Sequence, residues 1–491
     1  MNVGNMLLLV LAGTIGMQAQ TFVQREGTHL RLDGKAFRYS GPNIEWLGLE
    51  GYGPHDPIGP RYPSHFEIDD AFETAAEMGA KVVRSQTMGD TVGCSRCIEP
   101  ELGKFNDEGF QASDYALAVA AKNHMRVIIT LIGDCATCAG GGIGQYLAWN
   151  HEANAQAFFT DPRLIAAFEK HVDAVLRHRN RITGVLYEDD PTILAWENCN
   201  MCGLIPMLSH GNVAEVGTWS ETIGEHIKQI DRRHLYLDTS GIFRADAKIL
   251  DNASTDLVSF EEYPHWNDAF NTPAGVAPTS VTTILADAAT VTGHGKVFIV
   301  NEFGWDRTNW KSSADLQGLL DAMLHDENIS GDDYWAMQAH AENFGFQAIP
   351  ADSDDPKFAV IGECGEWWAL YYPGMKTLAM TAEDMGERAQ QLRGHAYAMS
   401  GEAVPKHAVP PAPEITSIVV GGLVAWRGSA GAVRYTIERY DAATKSWQTI
   451  CDKCATDAED PWADPHAAMG AHYRVTAFNA DGVASAASNP R

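Results

Sequence analysis

The chain has 491 residues, 45% hydrophobic and 20% charged, which suits a soluble globular protein with one large core and a second, smaller one. Its formal net charge of −28 excludes nucleic acid and anionic lipid as natural partners, because both repel a strongly acidic surface. A neutral ligand needs no electrostatic steering and fits such a surface.

Met6 to Ile15 form an apolar run too short to span a bilayer. Gly16, Met17, Gln18 and Ala19 follow it, the small-residue pattern of a signal-peptide cleavage region. The expectation is a leader over 1–19, export to the periplasm or beyond the cell, and no membrane insertion. Phe22–Gln24 and His29–Leu32, on either side of Gly27, read as a hairpin at the bottom of a barrel. Apolar strands and amphipathic helices then alternate, the signal for βα units and a parallel sheet. The strands are predicted at Phe37–Ser40, Lys81–Ser85, Arg126–Leu131, Thr192–Trp196, His234–Asp238, Leu257–Phe260, Val297–Val300 and Asp333–Ala336. Eight strands close a (β/α)8 barrel, the TIM fold of the α/β class, here over 20–403.

Between the fourth strand and the one before it, Asp161 caps a helix and Pro162 takes its first position. Leu164, Ile165, Phe168, Val172, Val175 and Leu176 form its apolar stripe. Val404 to Pro413 holds Pro405, Pro410, Pro411 and Pro413 and reads as a linker. Residues 414–491 switch to alternation, as in Val433, Tyr435 and Ile437, with turns such as Asp481-Gly482. They predict a small all-β sandwich of fibronectin-type-III or immunoglobulin type. Trp447 and Trp462 in it serve either a core or interface, the commoner use of such residues, or sugar binding.

Eight of the nine cysteines form four C-x-x-C pairs: Cys94/Cys97, Cys135/Cys138, Cys199/Cys202 and Cys451/Cys454, with Cys364 left over. In an oxidising compartment each pair closes on itself as a local disulfide worth about 2 kcal/mol. Zinc ligation and free thiols are the alternatives.

The predicted strand ends are rich in polar groups, and in this fold chemistry sits there. Arg84 ends the second strand; Trp196-Glu197-Asn198-Cys199-Asn200 the fourth; Glu261-Glu262-Tyr263-Pro264 the sixth; Asn301-Glu302-Phe303-Gly304-Trp305 the seventh; Tyr334-Trp335 the eighth. With these go longer runs: Phe159-Thr160-Asp161-Pro162 through His171-Val172, Arg179-Asn180, Thr183-Gly184, and Tyr187 through Glu197. Leu32-Asp33-Gly34-Lys35 and Gly41-Pro42-Asn43 belong with them. Over roughly 21–375 the chain resembles glycoside hydrolase family 5, in its β-mannanase-like branch. The resemblance implies a secreted glycosidase acting on β-linked polysaccharide or oligosaccharide, above all β-mannan, with no cofactor.

By that resemblance Glu302 is the nucleophile, oriented by Arg84, whose positive charge lowers its pKa. Asn200 meets the sugar 2-hydroxyl, a contact that strengthens in the transition state. Tyr263 lies close to Glu302 and Trp335 forms an apolar platform. Trp46 and Trp305, with Trp266 and Trp310, suit stacking on pyranose faces. In two places the chain departs from the family. Met201 stands where the family has the acid/base Glu, and a thioether donates no proton. Glu261 stands where the family usually has His.

Three readings follow. The acid has moved, with Glu261 first and Glu262 and Glu45 behind it; its spacing from Glu302, about 5–5.5 Å or 6.5–9.5 Å, then sets retention or inversion. The chain is instead a catalytically impaired carbohydrate-binding protein on the same fold. Or the cysteine pairs at the barrel mouth hold a metal that activates water.

Overall fold

The computed structural model describes residues 21–51, 59–133, 141–200, 202–203, 205, 211–241, 247–262, 280–304, 313–347, 374, 381–419 and 422–491. Three short antiparallel strands come first: β1 (Gln24–Glu26), β2 (His29–Leu32) and β3 (Lys35–Ala36). Val23 and Leu30 of this ribbon pack among Tyr39, Val82, Ile128, Leu194 and Leu257, so it closes one end of the interior as expected. Strand pairing begins later than the sequence suggested, at Gln24, because Phe22 packs edge-on against the His234 ring, 5.0 Å away.

Eight parallel strands follow: β4 (Tyr39–Pro42), β5 (Val82–Ser85), β6 (Arg126–Thr130), β7 (Ile193–Glu197), β8 (Leu235–Asp238), β9 (Leu257–Glu262), β10 (Val297–Phe303) and β11 (Ile329–Tyr334). Their order, β4-β11-β10-β9-β8-β7-β6-β5, is that of a barrel. A parallel bridge from Asn43 to Arg84 joins the two ends. Gly41 is required at this seam, since a Cβ there would lie 1.9 Å from the Val82 carbonyl oxygen.

The helices lie outside: α1 (His65–Glu77), α2 (Gln111–Lys122), α3 (Pro162–Leu176), α4 (Val213–Ile230), α5 (Val281–Gly293), α6 (Ser313–His325) and α7 (Ala382–Met399). Phe72, Leu117, Phe168, Trp219 and Leu320 carry their apolar faces onto the sheet. In α3, Asp161 accepts the Arg163 N–H at 2.8 Å and Pro162 opens the helix, as the sequence indicated.

The eighth strand was misplaced. It runs Ile329–Tyr334 rather than Asp333–Ala336, because its polar residues disguise it. Asp332 lies 2.8 Å from His395 Nε2, and Asp333 accepts the Tyr39 hydroxyl at 3.3 Å, so both carboxyls are buried with partners. The first strand likewise lies two residues later than Phe37–Ser40.

Beyond the barrel come β12 (Glu414–Val419), β13 (Leu423–Arg427), β14 (Arg434–Asp441), β15 (Ser446–Ala455), β16 (Trp462–Ala463) and β17 (Tyr473–Phe478). They form two antiparallel sheets, β12-β13-β16 and β15-β14-β17, over one core built on Trp426, Tyr435, Ile437, Tyr473 and Val475. Trp462 packs against that core. Trp447 lies outside it, 5.3 Å from the Tyr440 ring and under the Arg474 guanidinium.

The proline-rich segment is irregular, but it is tied down. His407 Nδ1 lies 2.8 Å from Glu77 of α1, the Ala408 N–H donates to Glu77 at 3.0 Å, and Asn479 Nδ2 donates to the Ala408 carbonyl at 2.8 Å. A second tie is ionic. His340, after β11, places Nδ1 3.0 Å from Asp70 of α1 and Nε2 2.9 Å from Asp457 between β15 and β16. Gly428 makes room for it, since a Cβ there would meet the His340 ring at 2.1 Å.

Cys94–Cys97, Cys199–Cys202 and Cys451–Cys454 are disulfides. Cys135, Cys138 and Cys364 lie outside the described residues. Among the described residues no helix is long and apolar enough to cross a membrane, and no group of three or more His, Cys, Asp or Glu could hold a metal ion.

Candidate active site

Strand alternation turns Arg84 inward near the end of β5, where it is fully buried. Burying a guanidinium is costly unless every N–H finds an acceptor. Here all five do. Nε and Nη2 donate to Glu197 at 2.8 and 2.7 Å, a two-pronged grip. Nη1 donates to Asn43 at 2.9 Å and to Glu302 at 2.8 Å, and Nη2 also donates to Asn200 at 2.6 Å.

These acceptors come from the C-terminal ends of three strands. Asn43 follows β4, Glu197 ends β7 with Asn200 just beyond, and Glu302 is the penultimate residue of β10. The nucleophile expected from sequence, its orienting arginine and Asn200 are therefore one hydrogen-bonded group. The Asn200 amide is fixed in sense by this contact. Arginine has no acceptor, so the Asn200 oxygen faces Arg84 and its NH2 end is left to donate elsewhere.

Glu197 is fully enclosed and committed. Beyond the Arg84 grip it accepts the Thr130 hydroxyl at 2.6 Å and Asn301 Nδ2 at 3.1 Å. Asn301 is held in turn by Ser259, whose Oγ accepts its backbone N–H at 2.8 Å. Asn43 donates to the carbonyls of Asn301 at 3.0 Å and Asp333 at 3.2 Å, linking β4, β10 and β11 beneath the site. Sequence reasoning missed this job for Glu197. Its signal was the inward arginine, which demands more counter-charge than one catalytic carboxylate supplies.

Asp90, six residues after Arg84, was missed as well. It is fully buried, and neither oxygen has a hydrogen-bond partner among the described residues. Burial first, and then the charge of Glu197, push its carboxyl well above the usual range. Its full enclosure keeps it out of contact with any substrate.

Trp335 follows β11 and is 9% exposed, with no partner for its indole N–H among the described residues. Trp46 lies in the outer core, 4% exposed, and donates Nε1–H to the Met337 carbonyl at 3.1 Å. The ladder pairs Glu261 with Glu302 in register across β9 and β10. Glu262, the next residue, is buried, and Glu45 begins a short 3-10 turn after β4. Met201, Tyr263, Trp266, Trp305 and Trp310 lie outside the described residues.

This arrangement meets its counterparts among known proteins. Residues 20–249 match the family described as GH family 5 beta-mannosidase-like. The match runs from the opening hairpin through β8, so it includes Arg84, Glu197 and Asn200 and stops short of Glu302.

Mannan endo-1,4-beta-mannosidase 2 of Oryza sativa subsp. japonica is 32% identical over 231 residues, 45% of this chain and 48% of that protein. Mannan endo-1,4-beta-mannosidase 7 of Arabidopsis thaliana is 30% identical over 230 residues, 45% of this chain and 49% of its own. The chain thus spans about half the length of the curated relatives it matches. Among solved structures, the endo-1,4-beta-mannanase of Rhizomucor miehei covers 78% of this chain and 100% of its own at TM-score 0.57 and 23% identity. The endo-beta-1,4-mannanase of Thermotoga petrophila covers 93% and 98% at TM-score 0.56 and 19% identity. At those identities the structures show a shared fold.

Proposed function

We propose that the protein is a secreted glycoside hydrolase acting on β-mannan, with Glu302 as nucleophile and Glu261 in place of the absent acid. The observation that carries the reading is the 2.8 Å hydrogen bond from Arg84 to Glu302 at the strand ends. It sets a carboxylate beside a fixed cation where this fold performs chemistry. In the proposed reaction a Glu302 oxygen attacks the anomeric carbon, the glycosidic C–O bond breaks, and Glu261 gives its proton to the departing oxygen. The Asn200 NH2 group donates to the 2-hydroxyl, and Trp335, with Trp305, offers apolar surface to the pyranose, while Trp46, packed in the outer core, supports the strand ends instead; Tyr263 stands by Glu302.

Support for Glu261 is its register with Glu302 and its place two residues after inward Ser259. Glu197 is spent on Arg84, and Asp90 is sealed off. A leader over 1–19, a catalytic domain over 20–403, a linker over 404–413 and a fibronectin-III-like module over 414–491 complete the proposal.

Aryl β-mannoside and β-glucoside panels test it. Glu302→Ala is expected to lower turnover by roughly 10⁴-fold or more, the scale of losing a covalent nucleophile. Glu261→Gln is expected to cost about 10²–10⁴-fold on unactivated mannan and little on nitrophenyl glycosides, whose leaving group needs no proton. Equal losses on both substrates would remove Glu261 as the acid. Met201 favours a second reading, a sugar-binding protein without turnover: wild type would then bind manno-oligosaccharides and release no nitrophenol.

A further inference from the structure

Strand alternation turns Tyr435 and Ile437 of β14, and Tyr473 and Val475 of β17, into the sandwich core. Thr436, Glu438 and Tyr440, with Arg474 and Thr476, therefore face outward. Residues opposite one another in a ladder share a face, which adds Trp447, paired with Tyr440, and Thr449, paired with Glu438. Trp447 and Tyr440 thus stand side by side on the outer face of β15-β14-β17, their ring centres 5.3 Å apart at 61°. Tyr440 is 37% exposed and Trp447 is half-buried. The Arg474 guanidinium lies over the Trp447 ring, 4.8 Å from its centre. Glu438 grips that guanidinium in turn, accepting from Nε at 2.6 Å and from Nη2 at 2.9 Å. The core has its own tryptophan, fully buried Trp426, and the ties to the barrel described above run through His340 and Glu77. Neither packing nor docking, the ordinary uses of such rings, employs Trp447.

We propose that this face is a carbohydrate-binding site, on which a neutral β-linked polysaccharide stacks its pyranose rings on Trp447 and Tyr440 while its hydroxyls accept hydrogen bonds from Arg474. That the polysaccharide is mannan rests on the function proposed above; the site itself stands on its own chemistry. An aromatic ring offers flat apolar surface to the C–H face of a pyranose, and its two side-chain torsions cost little entropy to hold. Here the indole is steadied by Arg474, and Arg474 by Glu438. Glu438 takes two of the five guanidinium N–H groups, so the fork that steadies the platform still has donors for hydroxyls. The same pairing cancels the charge beside the rings, which removes the attraction for an anion or a cation. A protein partner fits a contiguous apolar patch, whereas Thr449, Thr476 and the ion pair share this face with the rings. A polysaccharide held on the sandwich raises the local concentration of substrate at the barrel to which the sandwich is tied.

The test uses the full chain carrying Glu302→Ala, so that the polysaccharide survives the measurement, and follows its depletion onto insoluble mannan and β-glucan. Adding Trp447→Leu is expected to weaken binding about 10- to 30-fold, the scale of losing a central aromatic contact. Trp447→Phe keeps a flat ring and is expected to bind within about 3-fold of the parent. With Glu302 restored, turnover of aryl β-mannosides by Trp447→Leu is expected to stay within about 2-fold of wild type, since they need only the barrel site. Binding unchanged by Trp447→Leu, or no binding of either polysaccharide by the parent, would overturn the proposal. Equal losses with leucine and phenylalanine would overturn it too, because a flat ring would then not matter. Self-association that Trp447→Leu abolishes, without polysaccharide binding, would give the face to a second copy instead. Should Trp447→Leu unfold the sandwich, Arg474→Gln carries the test: about 3- to 10-fold weaker binding is expected from the lost donors, and no change would overturn the assignment. Mannan bound through Trp447 by a wild type that releases no nitrophenol would sink the glycosidase reading and leave this site standing. Hydrolysis with binding indifferent to Trp447 would do the reverse.

Discussion

Arg84 and His340 each sit buried between two carboxylates: Glu197 and Glu302 around the first, Asp70 and Asp457 around the second. The charge composition is the same, and the use differs. Around His340 the partners come from two separate parts of the chain, α1 and the loop between β15 and β16, so the ion group joins barrel to sandwich. Around Arg84 all partners come from strand ends, and the five N–H groups are divided so that Glu197 takes two and Glu302 takes one. Glu197 neutralises the cation, and Glu302 is oriented by it. In the proposed function, a buried ion group becomes a site because one of its members stands at a strand end on the face where chemistry sits in this fold.

Substitutions break this comparison in graded steps. Arg84→Gln is expected to have the largest effect. It leaves Glu197 enclosed without a cation, costing about 3–5 kcal/mol, and it removes the group that orients Glu302. Chemical denaturation and turnover on aryl β-mannosides are expected to fall together.

His340→Gln takes the cation away from Asp70 and Asp457 at the barrel–sandwich junction. It is expected to cost a similar amount of stability while aryl mannoside turnover, measured well below the melting temperature, stays within about 2-fold. The pH dependence sharpens the point. Burial alone lowers the His340 pKa, but Asp70 and Asp457 outweigh it and hold it up at about 10, against an ordinary 6.5. Because the folded value is the higher one, this contribution is fully present below pH 6.5 and is lost as pH rises through about 10. Thermal melts from pH 6 to about 10 are expected to fall more steeply for wild type than for His340→Gln; parallel curves would show that the pair carries no such coupling.

The smallest expected effect is Ser64→Ala at the start of α1, the helix that carries Asp70. Ser64 Oγ accepts the Glu67 N–H at 3.1 Å, and Glu67 returns a bond to the Ser64 N–H at 2.7 Å. Losing this capping box is expected to cost about 1 kcal/mol in denaturant titration, with activity unchanged.

What the sequence disclosed follows from how local each signal is. The apolar runs of β5, β6 and β10 and the stripe of α3 repeat with a fixed period, so barrel and helices were legible. β11 was misplaced because Asp332 and Asp333 break the apolar run while being buried with partners contributed by α7 and β4. Arg84, Asn200 and Glu302 were legible through motif resemblance at strand ends. Glu197 and Asp90 were not, because one owes its role to an arginine 113 residues away and the other to enclosure. The link from His340 to Asp457 spans 117 residues and leaves no local pattern at all.

That last link bears on how such a chain could be taken apart. The proline-rich stretch invites a cut, as if the sandwich were luggage that another enzyme could carry. Cutting there would separate Asp457 from His340 and Asn479 from the segment that Glu77 holds. Each half would inherit a fragment of a charge cluster or a row of orphaned donors. Any recombination that moves this sandwich to a new host must bring a host with its own histidine at the docking face, which makes the pair a unit of inheritance rather than two exchangeable parts.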